Sequence, residues 1–195
     1  MKRGKTLLLA ILIAAAILLG YLAYMSIYRR PRGLRPLLEE IRRGPQVGLT
    51  VAGLTGGDIP VKYTCDGEDV SPSVAWEPVE GAATYALVVY DPDAPKGIFI
   101  HWVIYNIPAS VHRLPEAVPR APLTAYGVQG LNSFGKLGYG GPCPPPGPRH
   151  HYHFLLLALD TRLDLEPGAT ARQLLEAAEG HVVGYGEVVL TYGRG

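Results

Sequence analysis

Cysteine is nearly absent: Cys65 and Cys143 are the only two in 195 residues. A chain so poor in cysteine is not a disulfide-dense scaffold, and it cannot build a multi-cysteine zinc site. The pair serves either as one disulfide in an oxidising compartment or as two small buried thiols. Cations are scarce beyond residue 43. Residues 1–43 carry nine Lys/Arg against two Asp/Glu, a net of +7. Residues 44–195 carry nine Lys/Arg against fifteen Asp/Glu, a net of −6, and the two sum to the formal +1. Phosphate backbones are held by lysine and arginine, so an acidic globule of this kind is not expected to take nucleic acid as its partner. Internal repeats are missing as well, and the only biased tract is a proline run near residue 145.

Long apolar runs are confined to one place. Thr6 to Tyr28 carries no charge and lies between Lys5 and Arg29. As a helix, 23 residues would span roughly 34 Å, enough for the hydrocarbon core of a bilayer. Tyr21, Tyr24 and Tyr28 would then stand at one interface. The run is longer than a secretory h-region and no clear Ala-x-Ala site follows it. The expectation is a single N-terminal transmembrane helix, hence a single-pass membrane location. Lys2, Arg3 and Lys5 on one side and Arg29, Arg30, Arg32 and Arg35 on the other leave the side of the domain undecided. The division expected is a basic tail and anchor at 1–28, a basic stalk or linker at 29–46, and a folded domain at 47–195.

Within the domain, period-two runs dominate. Val47–Leu54, Ile59–Tyr63, Thr84–Tyr90, Phe99–Ile107, His150–Leu159 and Val182–Tyr192 read as strands, the last with a glycine break at Gly184 and Gly186. Pro36–Arg43 reads as a short amphipathic helix. Ala169–Glu179 reads as a helix that Thr170 caps and Gly180 ends. Residues 108–149 read as mostly loop, and a loop that long in a compact domain is usually functional or disordered. The fold class expected is mostly β, an antiparallel sandwich-like arrangement with one or two short helices.

The chemistry gathers around the proline run. Five prolines between Pro142 and Pro148 make a stiff wall with few N–H groups. The run turns directly into His150-His151-Tyr152-His153. On a strand His150 and Tyr152 share one face, and His151 and His153 the other. Asp91 and His101 sit at the facing ends of two neighbouring strands, which antiparallel pairing would bring together. Asp, His, His and Tyr beside a proline wall suit a zwitterionic or phosphate-bearing headgroup better than a bare polyanion. Competing readings carry less weight. His151-x-His153 is a thin zinc ligand set. Cys143 lacks a recognisable oxyanion turn for a nucleophile, and an Asp91/His150 hydrolase lacks a nucleophile of its own. No catalytic residue, metal or cofactor is expected.

These blocks together resemble the phosphatidylethanolamine-binding protein family, in its bacterial and archaeal Raf-kinase-inhibitor-like branch. Asp91-Pro-Asp-Ala-Pro95, His101-Trp102 with Asn106-Ile-Pro108, and Gly141-Pro-Cys-Pro-Pro145 leading to His150-x-Tyr152 match its signatures in order and spacing. Val70–Trp76, Asn132–Tyr139, Glu179-Gly-His181 and Thr191–Arg194 support the match, which covers about residues 47–194. The resemblance implies a β-sandwich-like fold with a small anion-binding pocket. It implies a ligand-binding set of Asp91, Asp93, Pro95, His101, Gly141, Pro142, His150 and Tyr152, and Cys65 and Cys143 stay a possible disulfide on their count alone. It further implies a small phosphate-bearing ligand or lipid headgroup without catalysis; the membrane anchor expected from hydropathy is an addition that the family usually lacks. The alternative is a protein-interaction module that inhibits a serine protease or a kinase. Phe99 departs from relatives that carry tryptophan on the pocket rim.

Overall fold

The computed structural model describes residues 13–22 and 33–194. The chain divides into two compact units, Met1–Gly33 and Leu34–Gly195. Much of the expected anchor at 6–28 therefore lies outside the described residues. Among those described, residues 13–22 are helical. At about 1.5 Å per residue such a stretch covers about half of a bilayer core. No helix among the described residues is long and apolar enough to cross a membrane. The transmembrane helix and the single-pass membrane location expected from hydropathy are corrected accordingly.

In the second unit, alternating apolar residues build two antiparallel sheets. The smaller holds β1 (Leu49–Val51), β2 (Val74–Trp76) and β5 (Arg113–Leu114), in the order β1-β2-β5. The larger combines β3 (Thr84–Asp91), β4 (Phe99–Pro108), β6 (Leu123–Thr124), β7 (Gly127–Gln129), β8 (His150–Leu159) and β9 (Val182–Tyr192). Its order is β6-β7-β4-β3-β8-β9. Leu87, Val89, Trp102, Ile104, Phe154 and Leu156 point inward to meet Val51, Val74, Trp76 and Leu114 of the small sheet. The alternate residues Val88, Val103, Leu155 and Leu157 point outward under two helices, α1 (Leu34–Ile41) and α2 (Ala171–Ala178). The large sheet is thus covered on both faces, which explains why β3 and β8 read as nearly continuous apolar runs.

Several expected elements change. The short helix expected over Pro36–Arg43 forms as α1, two residues earlier, and buries Leu37, Leu38 and Ile41 against the sheet. The segment Ile59–Tyr63 is a 3₁₀ turn, Val61–Tyr63, rather than a strand. Pro60 stands at its start and cannot donate a ladder bond. Gly184 and Gly186 do not interrupt β9. A Cβ at Gly186 would lie 3.1 Å from Leu49 Cβ of β1 and one at Gly184 3.2 Å from Val79 Cγ1, so these glycines admit close neighbours against β9. Helix α2 keeps its expected start: Thr170 accepts from the Gln173 backbone, and the Gln173 side chain returns to the Thr170 N–H.

Candidate functional site

Three strand ends meet at one edge of the large sheet. Tyr90 pairs with His153 across β3 and β8, and Asp91 pairs with Phe99 across β3 and β4. His101 follows two residues along β4. The two-residue alternation of β8 turns His150 and Tyr152 to the inner side, continuous with Phe154, Leu156 and Ala158 of the inner core. Asp91, His101, His150 and Tyr152 therefore line one cavity of about 190 Å³. Pro95, Phe99, Phe134, Pro144 and Pro145 supply its apolar wall.

The polar groups are held by fixed partners. Asp91 Oδ2 accepts from His150 Nδ1 at 2.7 Å, with both side chains almost fully buried, 5% and 6% exposed. Asp91 Oδ1 accepts the backbone N–H of Asp93 at 2.8 Å, so both carboxylate oxygens are engaged. His101 Nδ1 lies 2.7 Å from the Gly140 carbonyl. A carbonyl can only accept, so the proton sits on Nδ1, and Nε2 of the neutral ring is an acceptor. Burial pushes the His101 pKa below its ordinary value, with the Gly140 carbonyl and Asp91 pulling back only in part. The ring is uncharged at neutral pH. Tyr152 is 1% exposed, and its hydroxyl has no hydrogen-bond partner. Burial first, and then the negative field of Asp91 and Asp93, push its pKa well above the usual phenol value. The phenol therefore stays protonated and has a hydrogen to donate.

Three residues expected in the ligand-binding set do not line this cavity. Asp93 turns to the surface, where Oδ2 accepts from the His151 backbone at 2.9 Å and from His151 Nδ1 at 2.8 Å. Gly141 donates its N–H to Asp69 Oδ1 at 2.7 Å. A Cβ there would lie 2.6 Å from the Tyr63 carbonyl oxygen, so the position requires glycine for a chain crossing. The Pro142 carbonyl accepts from the Cys65 N–H at 3.1 Å. Cys65 and Cys143 form a disulfide across the same crossing, with Cα atoms 5.4 Å apart. Bonded in this way, Cys143 offers no thiolate. Gly141 and Pro142 build the wall, whereas Cys143 is part of the lining.

Sequence reasoning left Phe134 out of the site. Its ring packs edge-on against Phe99 at 4.8 Å and His101 at 5.7 Å. The signal was present in Asn132-Ser-Phe-Gly-Lys136, but nothing local said which way the turn would aim its aromatic. The remaining histidines of this edge are committed elsewhere: His151 to Asp93, and His153 to Glu187 Oε1 at 2.9 Å. Among the described residues no group of three or more His, Cys, Asp or Glu side chains is placed to hold a metal ion.

A family model, phosphatidylethanolamine-binding protein, matches residues 51–193. The chain belongs to the phosphatidylethanolamine-binding protein family. It is 53% identical over 141 residues to a UPF0098 protein of Methanothermobacter thermautotrophicus, covering 71% of this chain and 93% of that one. A UPF0098 protein of Pyrococcus abyssi is 45% identical over 158 residues, covering 77% and 88%. Two solved structures are similar. A phosphatidylethanolamine-binding protein homolog from Chlamydia trachomatis has a TM-score of 0.70 and 38% identity over 78% of this chain and 100% of that one. The E. coli protein YbcL, a new member of the mammalian PEBP family, has a TM-score of 0.71 and 31% identity over 77% of this chain and 99% of that one.

In this member of the family the site offers one donor hydroxyl, two oriented imidazoles and one fully engaged carboxylate. The cavity lining contains no lysine or arginine. Such a set can orient and hydrogen-bond a small polar ligand.

Proposed function

We propose that this family member binds a small phosphate-bearing ligand of the phospholipid-headgroup type and does not turn it over. The observation that carries this reading is the buried Tyr152 hydroxyl, unpartnered beside the cavity. A buried donor without an acceptor costs on the order of 1–3 kcal/mol, and a ligand oxygen would relieve that cost. The two imidazoles are fixed through Nδ1 by Asp91 and by Gly140, which supports a role for Nε2 in meeting a ligand. A phosphate ester brings both acceptor oxygens and, when singly protonated, a donor for a neutral imidazole. The absence of cations from the lining disfavours highly charged anions.

The test is titration of the full chain with phosphoethanolamine and with inorganic phosphate, following the imidazole signals by NMR. Shifts at His101 and His150 that saturate at millimolar ligand are expected, and they should be lost in His150→Ala. Unmoved imidazole signals at those concentrations would defeat the reading.

A further inference from the structure

A second groove of about 160 Å³ adjoins the first cavity and shares Phe134 and Cys143 with it. Its chemistry is opposite in sign. The first cavity contains the Asp91 carboxylate and no fixed cation, whereas the second is lined by Arg120 and Lys136 with Asp69. Arg120 gives one nitrogen, Nη2, to Asp69, which it reaches at both the backbone carbonyl and Oδ2, the latter at 2.7 Å. Among the described residues its other N–H groups make no hydrogen bond. Lys136 makes no ion pair among the described residues, so the groove carries one excess positive charge.

These cations stand on built structure. Buried Asn132 accepts through Oδ1 from the backbone N–H groups of Phe134 and Lys136 at 3.0 and 3.1 Å, and its Nδ2 donates to the Gly138 carbonyl at 2.9 Å. Ser133 ties the same turn to β4, giving its N–H to the Ile100 carbonyl at 2.8 Å and accepting the Ile100 N–H at Oγ at 2.9 Å. Asp69, which fixes Arg120, is itself fixed by the Gly141 N–H. One rigid turn therefore sets Phe134 as a ridge between the cavities and presents Lys136 beyond it.

We propose that the groove past Phe134 is a second subsite for the same ligand, one that selects phosphate esters carrying an additional acidic group. The ester would lie against the ridge, with the phosphate beside Tyr152 and the extra carboxylate at Lys136 and Arg120. This assignment rests on the pocket reading above and goes beyond it by naming the ligand class: a phosphoserine-type headgroup in preference to a phosphoethanolamine-type one.

Calorimetric titration of the full chain at low ionic strength tests it, comparing O-phosphoserine with phosphoethanolamine. O-phosphoserine is expected to bind about tenfold more tightly, the scale of one additional charge-assisted contact. In Lys136→Gln that advantage should shrink to about twofold while phosphoethanolamine affinity stays constant, and Lys136→Glu should reverse the preference. Equal affinities in the unsubstituted protein, or an advantage that survives both variants, would overturn the subsite and leave the pocket reading standing. Failure of both esters to bind would remove the pocket reading and the subsite together. A further arm with dihexanoyl phosphatidylserine separates sources: tighter binding than the free ester assigns a lipid headgroup, and binding of the free ester alone assigns a soluble metabolite.

Discussion

Strand β8 supplies imidazoles to three carboxylate–imidazole pairs, and the inner one, His150–Asp91, differs from the half-buried outer one, His153–Glu187, in what surrounds it. On the inner face, Asp91 and His150 lie beside a cavity with no cation and with the unpartnered hydroxyl of Tyr152. On the outer face, His153 donates to Glu187, and Arg42 from the end of α1 completes the set, with Nε 3.0 Å from Glu187 Oε2 and Nη2 2.5 Å from Oε1. Arg42 also donates to the Tyr90 hydroxyl, and Tyr90 stacks on His153 at 4.8 Å. Burial alone would raise the Glu187 pKa, but hydrogen bonds from His153 and Arg42 outweigh it and hold the carboxyl down at about 2. The outer pair is electrically complete and fastens α1 to the sheet. The inner pair leaves donor and acceptor capacity facing a cavity. A carboxylate–imidazole pair thus serves as a fastener or as a site, depending on whether a cation closes the set.

Breaking the inner pair should have the largest effect. Asp91→Ala leaves His150 buried without its acceptor, and chemical denaturation should show a loss of about 3 kcal/mol. Phosphoethanolamine binding by the same variant should fall more than about tenfold. Glu187→Gln should cost about 2 kcal/mol, seen as faster hydrogen exchange in α1, with ligand affinity unchanged. If that variant also weakened binding, the separation of the two faces would fail.

Acid sharpens the contrast. The folded His101 pKa lies below its unfolded value, so the unfolded chain takes up the proton first. Stability from this group is complete above its unfolded value of about 6.5 and declines as pH falls below it. The depressed Glu187 carboxyl contributes stability that is present above its ordinary value of 4.5 and lost as pH falls through about 2. Thermal unfolding followed from pH 8 to pH 3 should therefore show an early decline that His101→Phe removes and Glu187→Gln leaves in place. The one gain in stability belongs to Tyr152→Phe. Removing a buried, unpartnered hydroxyl should raise stability by about 1 kcal/mol, yet weaken phosphoethanolamine by about fivefold in the NMR titration.

Much of this was legible locally. Alternation alone separates His150 and Tyr152 from His151 and His153, because a strand has a period of two and the large sheet is covered on both faces. Thr170 and Gln173 announce the start of α2 for the same kind of reason, since a cap is a contact over three residues. Asp93 was not separable from Asp91, because the same turn aims one carboxylate inward and the other at His151. The hydropathy of residues 6–28 suggested a membrane span, yet a run of apolar residues reports composition and not helix length, and no described helix is long enough.

The sequence by itself determined the family, the strand periodicity, and the grouping of Asp91, His101, His150 and Tyr152 at converging strand ends. Each of these follows from period and order along the chain. Only the tertiary structure decided that Gly141 gives its N–H to Asp69, that Phe134 forms a ridge, and that Arg42 closes the outer pair and leaves the inner one open. Those outcomes depend on contacts between residues tens to more than a hundred positions apart, such as Arg42 and Glu187, which no local pattern encodes.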